Sequence, residues 1–531
     1  MSATAVSNRG VAAAPHSAAA ETGRAILAEG GNAYEAMVGM AATIAVVYPH
    51  MNGVGGDGFW LVREPSGEVR YLEACSVAGS RATIAFYRDR GYDAIPARGP
   101  LAALTAPTAV DGWRLALELS KAAGGRMPLE ALLFDAVRNA RDGFAVSACQ
   151  SRTVPKELSA IVEAPGFAET FMRDGAMLAE GDTLRQPRLA DTLDHLARAG
   201  LRDFFDGDVG REIAADLDRI GAPVTREDLV GRRARLRAPL EVRLKGATVY
   251  NSQPPTQGLA SLAILGILDR LGLREDESAD FVHLCVEATK RAFRFRDRMC
   301  ADFDRVPGDP QELLAGTSLD GEAAAVDRVR AAPYPASRSG DGDTIWMGAI
   351  DAEGRAVSYI QSIYWEYGSG CVLPSTGVLI QNRGAAFSLD EADLNALAPG
   401  RQPFHTLNPP LAIFDDGRVM VYGTMGGEGQ PQTQAQLFAR AVWLGLPLDE
   451  ALARPRFRLG RSWGEPDAAL KLEPRFAGEE VDRLERMGHR LGLFERAFDD
   501  EAGHAGAVLR HPDGRIEGAH DPRADGGAAG V

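Results

Sequence analysis

The chain has 531 residues, 45% hydrophobic and 25% charged, which is ordinary globular usage and excludes a disordered or fibrous protein. A net charge of −15 argues against a surface built for nucleic acid or an anionic membrane, since both need a basic face. The five cysteines, Cys75, Cys149, Cys285, Cys300 and Cys371, form no C-x-x-C pair, so neither a disulfide framework nor a zinc site is indicated.

The first 31 residues carry no charged region followed by an apolar run, and no stretch of about eighteen apolar residues occurs, so a cytoplasmic location is expected. Apolar positions three and four apart predict helices over Ser17–Glu29, Ala33–Val47, Thr108–Ala123, Pro128–Asp142, Val209–Ile220, Ser261–Leu273 and Ala279–Asp297. Runs rich in β-branched and aromatic residues predict strands over Gly58–Arg63, Leu240–Asn251, Thr344–Asp351, Ala356–Ser362, Gly377–Gln381, Leu411–Asp415 and Val419–Tyr422. The strands bunch late in the chain and pair through short turns, which points to antiparallel sheets covered by helices. The segment Arg305–Gly342, rich in Ala, Pro, Gly and Asp, reads as a linker that delivers the chain onto Thr344.

Three glycine- or proline-rich loops stand out. "NGVGGDGFWLV", Asn52–Val62, lacks the spacing of a phosphate loop and suits close backbone approach in a core. "GTMGGEGQPQ", Gly423–Gln432, sets two glycines between a strand and a helical run; adjacent N–H groups there suit an anion or oxyanion, and a plain turn is the competing reading. "SQPPTQG", Ser252–Gly258, reads as structural. His50, His283 and His405 are scattered with no ligand spacing, and no G-x-S-x-G elbow is present.

The order of "ILAEGGNAYEAMVGMAATIAVVYPHMNGVGGDGFWLV", "VEATKRAFRFRDR", "GDTIWMGAIDAEGRAVSYIQSIYWEYGSG", "GTMGG" and "GAHDPRADGGAAG" resembles the gamma-glutamyltransferase family from end to end. The resemblance implies an α+β fold, the four-layer αββα sandwich of the N-terminal nucleophile hydrolases, and a precursor that cuts itself before a Thr. That Thr is Thr344, so the cut would fall between Asp343 and Thr344, leaving a large fragment 1–343 and a small fragment 344–531 intertwined in one domain. The freed α-amine, with a pKa of roughly 8, is the base that its own hydroxyl otherwise lacks. Gly426 and Gly427 match the family's oxyanion glycines, and Ser362 stands where a second Thr hydroxyl supports the nucleophile.

The departures concern the substrate. The family's carboxylate-binding Arg corresponds to Leu72 and its ammonium-binding Asp to Ala386; their Asn and Gln helpers become Tyr364 and Arg383, and a hydroxyl pair becomes His405 and Thr406. Arg383 can still grip a carboxylate, while an ammonium has no acid to hold it. Arg383, Tyr364, His405 and Thr406 are therefore the expected substrate-binding residues, and the substrate is expected to be a small amide bearing a carboxylate, such as oxamate, as in the oxamate amidohydrolase branch that this sequence resembles. A gamma-glutamyl hydrolase or transferase, and an unprocessed binding protein without catalysis, stand as alternatives. No metal or organic cofactor is implied, because nucleophile and base share one residue. Nor is a nucleic-acid or membrane partner; the two fragments associate with each other, and oligomeric state is open, a homo-oligomer of the heterodimer included.

Overall fold

The computed structural model describes residues 4–153, 158–334, 343–460 and 468–531. Its frame is two seven-stranded sheets. The strands are β1 Ala5–Ser7, β2 Gly10–Ala14, β3 Asp57–Arg63, β4 Val69–Ala74, β5 Arg235–Arg237, β6 Leu240–Leu244, β7 Ala247–Asn251, β8 Asp343–Asp351, β9 Ala356–Tyr364, β10 Leu411–Phe414, β11 Val419–Thr424, β12 Ala505–Arg510, β13 Ile516–His520 and β14 Gly527–Gly530. One sheet runs β1-β13-β12-β11-β10-β7-β6 and the other β14-β2-β8-β9-β3-β4-β5, with every pairing antiparallel.

The alternation of side chains along a strand sorts the core into three layers. Trp346, Ile350, Ile360, Phe59 and Leu61 meet Val421 and Val508 of the other sheet, while their neighbours Ile345, Met347, Ala349, Val357 and Tyr359 turn to the opposite face. That outer face is covered by helices including α1 Ser17–Ala28 and α2 Ala33–Val47. Asn32 caps α2 and Glu35 reaches back to the cap, and every residue of α2 is buried, as its nearly unbroken apolar run requires. On the far side, α3 Gly258–Leu271 and α4 Ala279–Met299 pack on Val242, Val249, Met420 and Tyr422. The result is the helix–sheet–sheet–helix sandwich expected from the sequence.

Several predicted elements differ in detail. Leu240–Asn251 is not one strand but a hairpin that folds back at Lys245–Gly246. Gly377–Gln381 forms only isolated bridges, Leu379 to Val372 and Ile380 to Gly55. The predicted linker is largely structured: Pro310–Leu314 and Gly316–Ala324 are helical, and buried Leu314 and Leu319 dock them on the α3 side of the core. Composition flagged its Ala, Gly and Pro but could not show those two leucines buried. Residues 335–342 of that segment lie outside the described residues.

Residue 344 divides the strands of both sheets. In the first sheet β1, β6 and β7 come from the N-terminal side and flank four strands from the C-terminal side; in the second, β2 lies between β14 and β8. Each ladder therefore crosses that boundary more than once.

The "NGVGGDG" loop threads between strands as its glycines allow. A Cβ at Gly56 would lie 2.1 Å from Ser362 O, and one at Gly55 2.1 Å from Leu379 O. Gly56→Ala is expected to cost on the order of 2 kcal/mol through forced separation of β3 and β9. A thermal melt of the variant should show a transition several degrees lower, and an unchanged melt would mean the strands part without strain.

Candidate active site

Thr344 lies near the start of β8 with its side chain fully buried. Gly348 packs against Val421 and Trp346 lies over Gly423, so moving two residues further toward Thr344 leads to the 425–427 turn of the facing sheet. The ladder breaks here: Asp343 pairs with Tyr364 and Ile345 with Gln361, leaving Thr344 opposite both Ser362 and Ile363. This β-bulge re-aims the backbone at the predicted cut. Tyr364 on its far side has φ +84°, a conformation that bulky side chains rarely hold. The Tyr364 N–H donates to Ser362 Oγ at 2.8 Å.

The Gly423–Gln432 segment turns sharply from strand to helix. Gly426 (φ +116°) and Gly427 (φ +52°) both occupy the left-handed region, as two glycines permit. Among the described residues, neither of their N–H groups has an acceptor. Gln257 Nε2 donates to Gly427 O at 2.8 Å and to Thr406 O at 2.9 Å, tying this turn to the predicted substrate-binding segment. The "SQPPTQG" loop holds that segment by its backbone, with His405 N–H donating to Pro255 O and Gln257 N–H to His405 O.

Arg383 is 0% exposed, and none of its three guanidinium nitrogens has a hydrogen-bond partner among the described residues. Its guanidinium carbon sits 3.8 Å from the centre of the Tyr364 ring. Burial lowers its pKa to about 10, against the pull of Tyr364, Asp57 and Cys75, so it remains a cation at neutral pH. Thr406 Oγ1 and His405 Nδ1 are likewise buried without partners. The structure thus brings Arg383, Tyr364, His405 and Thr406 into one buried neighbourhood.

The sequence reading missed Asp57, the residue that joins these pieces. Asp57 pairs directly across from Ser362 in the β3–β9 ladder, so both side chains point between the sheets. Its Oδ1 accepts from Ser76 N–H at 2.9 Å and Gln381 Nε2 at 3.3 Å; its Oδ2 accepts from Ser76 Oγ at 2.7 Å and lies 2.9 Å from His405 Nε2. Burial raises the Asp57 pKa to about 7 despite these donors and the Arg383 charge. Burial, then Arg383, drives the His405 pKa well below its usual value, so the Asp57–His405 contact is a hydrogen bond to a neutral ring and not an ion pair. The one sequence signal for Asp57 was an acid isolated among glycines at the start of a strand. Leu72, aligned to the family's Arg, lies in the helix-side core on the opposite face of the sheet from Asp57 and takes no part in the site.

Histidines that looked scattered also meet in the fold. His489 Nε2 lies 2.8 Å from His283 Nδ1, and His283 Nε2 donates to Asp327 O at 2.8 Å. Ligand-type groups gather there with Glu287, at Cys149–Asp500–His504 and at Asp57–Cys75–His405. Internal partners engage the acids in each: Lys290 holds Glu287, Arg152 and Arg496 hold Asp500, and the donors above hold Asp57. All five cysteines are free thiols and buried. No helix among the described residues is long and apolar enough to cross a membrane.

The family model for gamma-glutamyltranspeptidase matches residues 19–531. The chain is 50% identical over 526 residues, 99% of each chain, to a Klebsiella pneumoniae protein named oxamate amidohydrolase proenzyme. It is 30% identical to the glutathione hydrolase proenzyme of Escherichia coli over 97% of this chain and 90% of that one. A crystal structure of cephalosporin acylase from Bacillus halodurans superposes with a TM-score of 0.90 at 28% identity, over 100% of this chain and 97% of that one.

The raised Asp57 pKa has a stability consequence. The folded protein holds the Asp57 proton up to about pH 7, whereas the unfolded chain releases it near the ordinary carboxyl value of 3.8. Between those values the native state binds more protons, so this group's contribution falls as pH rises, by on the order of 1 kcal/mol per pH unit. Denaturant unfolding of wild type and Asp57→Asn at pH 5, 6 and 7.5 should show wild type losing ground to the variant with rising pH. A gap that does not move that way would mean Asp57 titrates near its ordinary value.

Proposed function

The chain belongs to the gamma-glutamyltranspeptidase family, and from that premise we propose that it is a self-processing amidohydrolase acting on a small carboxylate-bearing amide, with oxamate the best-fitting candidate. One observation carries the substrate class: a fully buried guanidinium at Arg383 with no hydrogen-bond partner among the described residues. Such a cation suits a bidentate anion, and a carboxylate matches its fork. The name of the relative at 50% identity, oxamate amidohydrolase proenzyme, supports the same reading. A gamma-glutamyl head group fits less well. Its ammonium needs an acid, Ala386 supplies none, and the Asp57 oxygens already have Ser76, Gln381 and His405 as neighbours.

In this reading Thr344 Oγ first attacks the Asp343 carbonyl, the acyl group moves from nitrogen to oxygen, and water releases the ester, freeing the Thr344 α-amine. In turnover the hydroxyl attacks the amide carbon of oxamate. The α-amine takes the hydroxyl proton and delivers it to the departing nitrogen, so that ammonia leaves an oxalyl ester on Thr344. Water, deprotonated by the same amine, opens the ester and releases oxalate. The Gly426 and Gly427 N–H groups hold the oxyanion in both halves, each donor worth about 3 to 4 kcal/mol. Ser362 supports the nucleophile, while Arg383, with Thr406 and His405 beside it and Tyr364 beneath it, holds the carboxylate. The cut protein works as a heterodimer, alone or as a homo-oligomer of it, in the cytoplasm.

Thr344→Ala is expected to run as one full-length band on a denaturing gel and to turn nothing over, where wild type gives two bands, the smaller beginning at Thr344. Cleavage of the variant at the same bond would remove Thr344 from the role. Arg383→Ala should still be cut yet lose about 10²–10⁴-fold in kcat/KM on oxamate, as for one partner of a buried charge pair. Turnover of a gamma-glutamyl anilide with none of oxamate would reverse the substrate assignment.

A further inference from the structure

A carboxylate held by Arg383 and Thr406 accounts for two of the site's unpartnered groups and leaves two more. His405 Nδ1 and Gln381 Oε1 are buried and have no hydrogen-bond partner among the described residues. The protonation of the His405 ring is imposed by its neighbour. Asp57 takes donors from Ser76 and Gln381 on both of its oxygens and lies 2.9 Å from His405 Nε2. Above about pH 7, where Asp57 is ionised, its carboxylate can only accept, so the proton of the neutral ring sits on Nε2. Nδ1 is then a lone pair without a donor among the described residues, on a fully buried ring near the Arg383 cation.

A lone pair in such a place needs a donor. Arg383 and Thr406 face the substrate's anionic end, whereas an unsubstituted carboxamide carries two N–H donors immediately next to that end. Resting on the amidohydrolase reading above, we infer that Asp57 is a positioning residue that holds His405 as its Nε2–H tautomer, so that Nδ1 accepts a hydrogen bond from the substrate amide N–H and selects the amide over the ester of the same acid. Sites built to hydrogen-bond a substrate group discriminate against analogues lacking it, because their own polar atom is then stranded.

The competing role for Asp57 is mechanical, since it ties β3, the Ser76 turn, the Gln381 segment and the His405 segment together. Comparing oxamate with the monomethyl ester of oxalate separates the two roles, because both carry the carboxylate and only oxamate carries N–H. Asp57→Asn places an amide NH₂ where His405 Nε2 can accept from it, which moves the ring proton to Nδ1 and removes the acceptor. In variants first shown to be cut at Thr344, the amide-to-ester ratio of kcat/KM is expected to fall about 10–100-fold for Asp57→Asn and for His405→Phe. His405→Gln, whose side-chain carbonyl can accept in place of Nδ1, should recover most of the ratio. An equal loss on amide and ester in Asp57→Asn would overturn the inference and leave Asp57 a structural tie. A cut wild-type protein that turns over neither compound would overturn the amidohydrolase reading, and this inference with it.

Discussion

A carboxyl group enclosed between two sheets needs hydrogen-bond partners in place of the water it has lost, and around Asp57 the partners come from segments far apart in the chain. Ser76 contributes from the turn after β4, Gln381 from the segment after β9, and His405 from the loop before β10. Their separations of 19, 324 and 348 residues show how much of the fold must be in place before this one group is satisfied. The local geometry of the site depends on that convergence. Gln381 leads directly to Arg383, His405 to Thr406, and the ladder partner of Asp57 is Ser362.

Arg383 presents the opposite case, a charge that makes no hydrogen bond among the described residues. Removing a guanidinium from water without partners costs several kcal/mol, and the Tyr364 face and the Asp57 charge offset only part of that. Nearby, Tyr364 itself holds a left-handed backbone conformation beside a bulge. These unfavourable terms gather at one place, within a core that otherwise follows the alternation rules, and they coincide with the proposed substrate site.

How far the sequence was legible follows the range of the interactions. The β8–β9 hairpin was readable because alternation and its turn are local, and the turn at Gly426–Gly427 because two adjacent glycines between strand and helix permit a left-handed backbone. The order of motifs identified the family where no single motif could. Asp57 was not readable as a site residue, since an acid among glycines says nothing of a histidine 348 residues away. The same limit applies to His283 and His489, 206 residues apart and in contact. Leu72 was aligned to the family's carboxylate-binding Arg, but a side chain on a strand has only two faces, and a shift of one residue exchanges them. The supposed linker misled for the converse reason. Its composition is that of a loop, and the two leucines that dock it are visible only with the α3 side of the core in place.

If the chain is cut at the proposed Asp343–Thr344 bond, the interleaving of strands across residue 344 takes on another character. Before the cut, β8 finds β2 by folding within one molecule, at the effective concentration that a shared backbone provides. Afterwards the same pairing, and that of β7 with β10, joins two separate polypeptides, so refolding becomes second order and depends on dilution. Lasting function then rests on how slowly the joined ladders come apart, since the connection that first brought the strands together is gone.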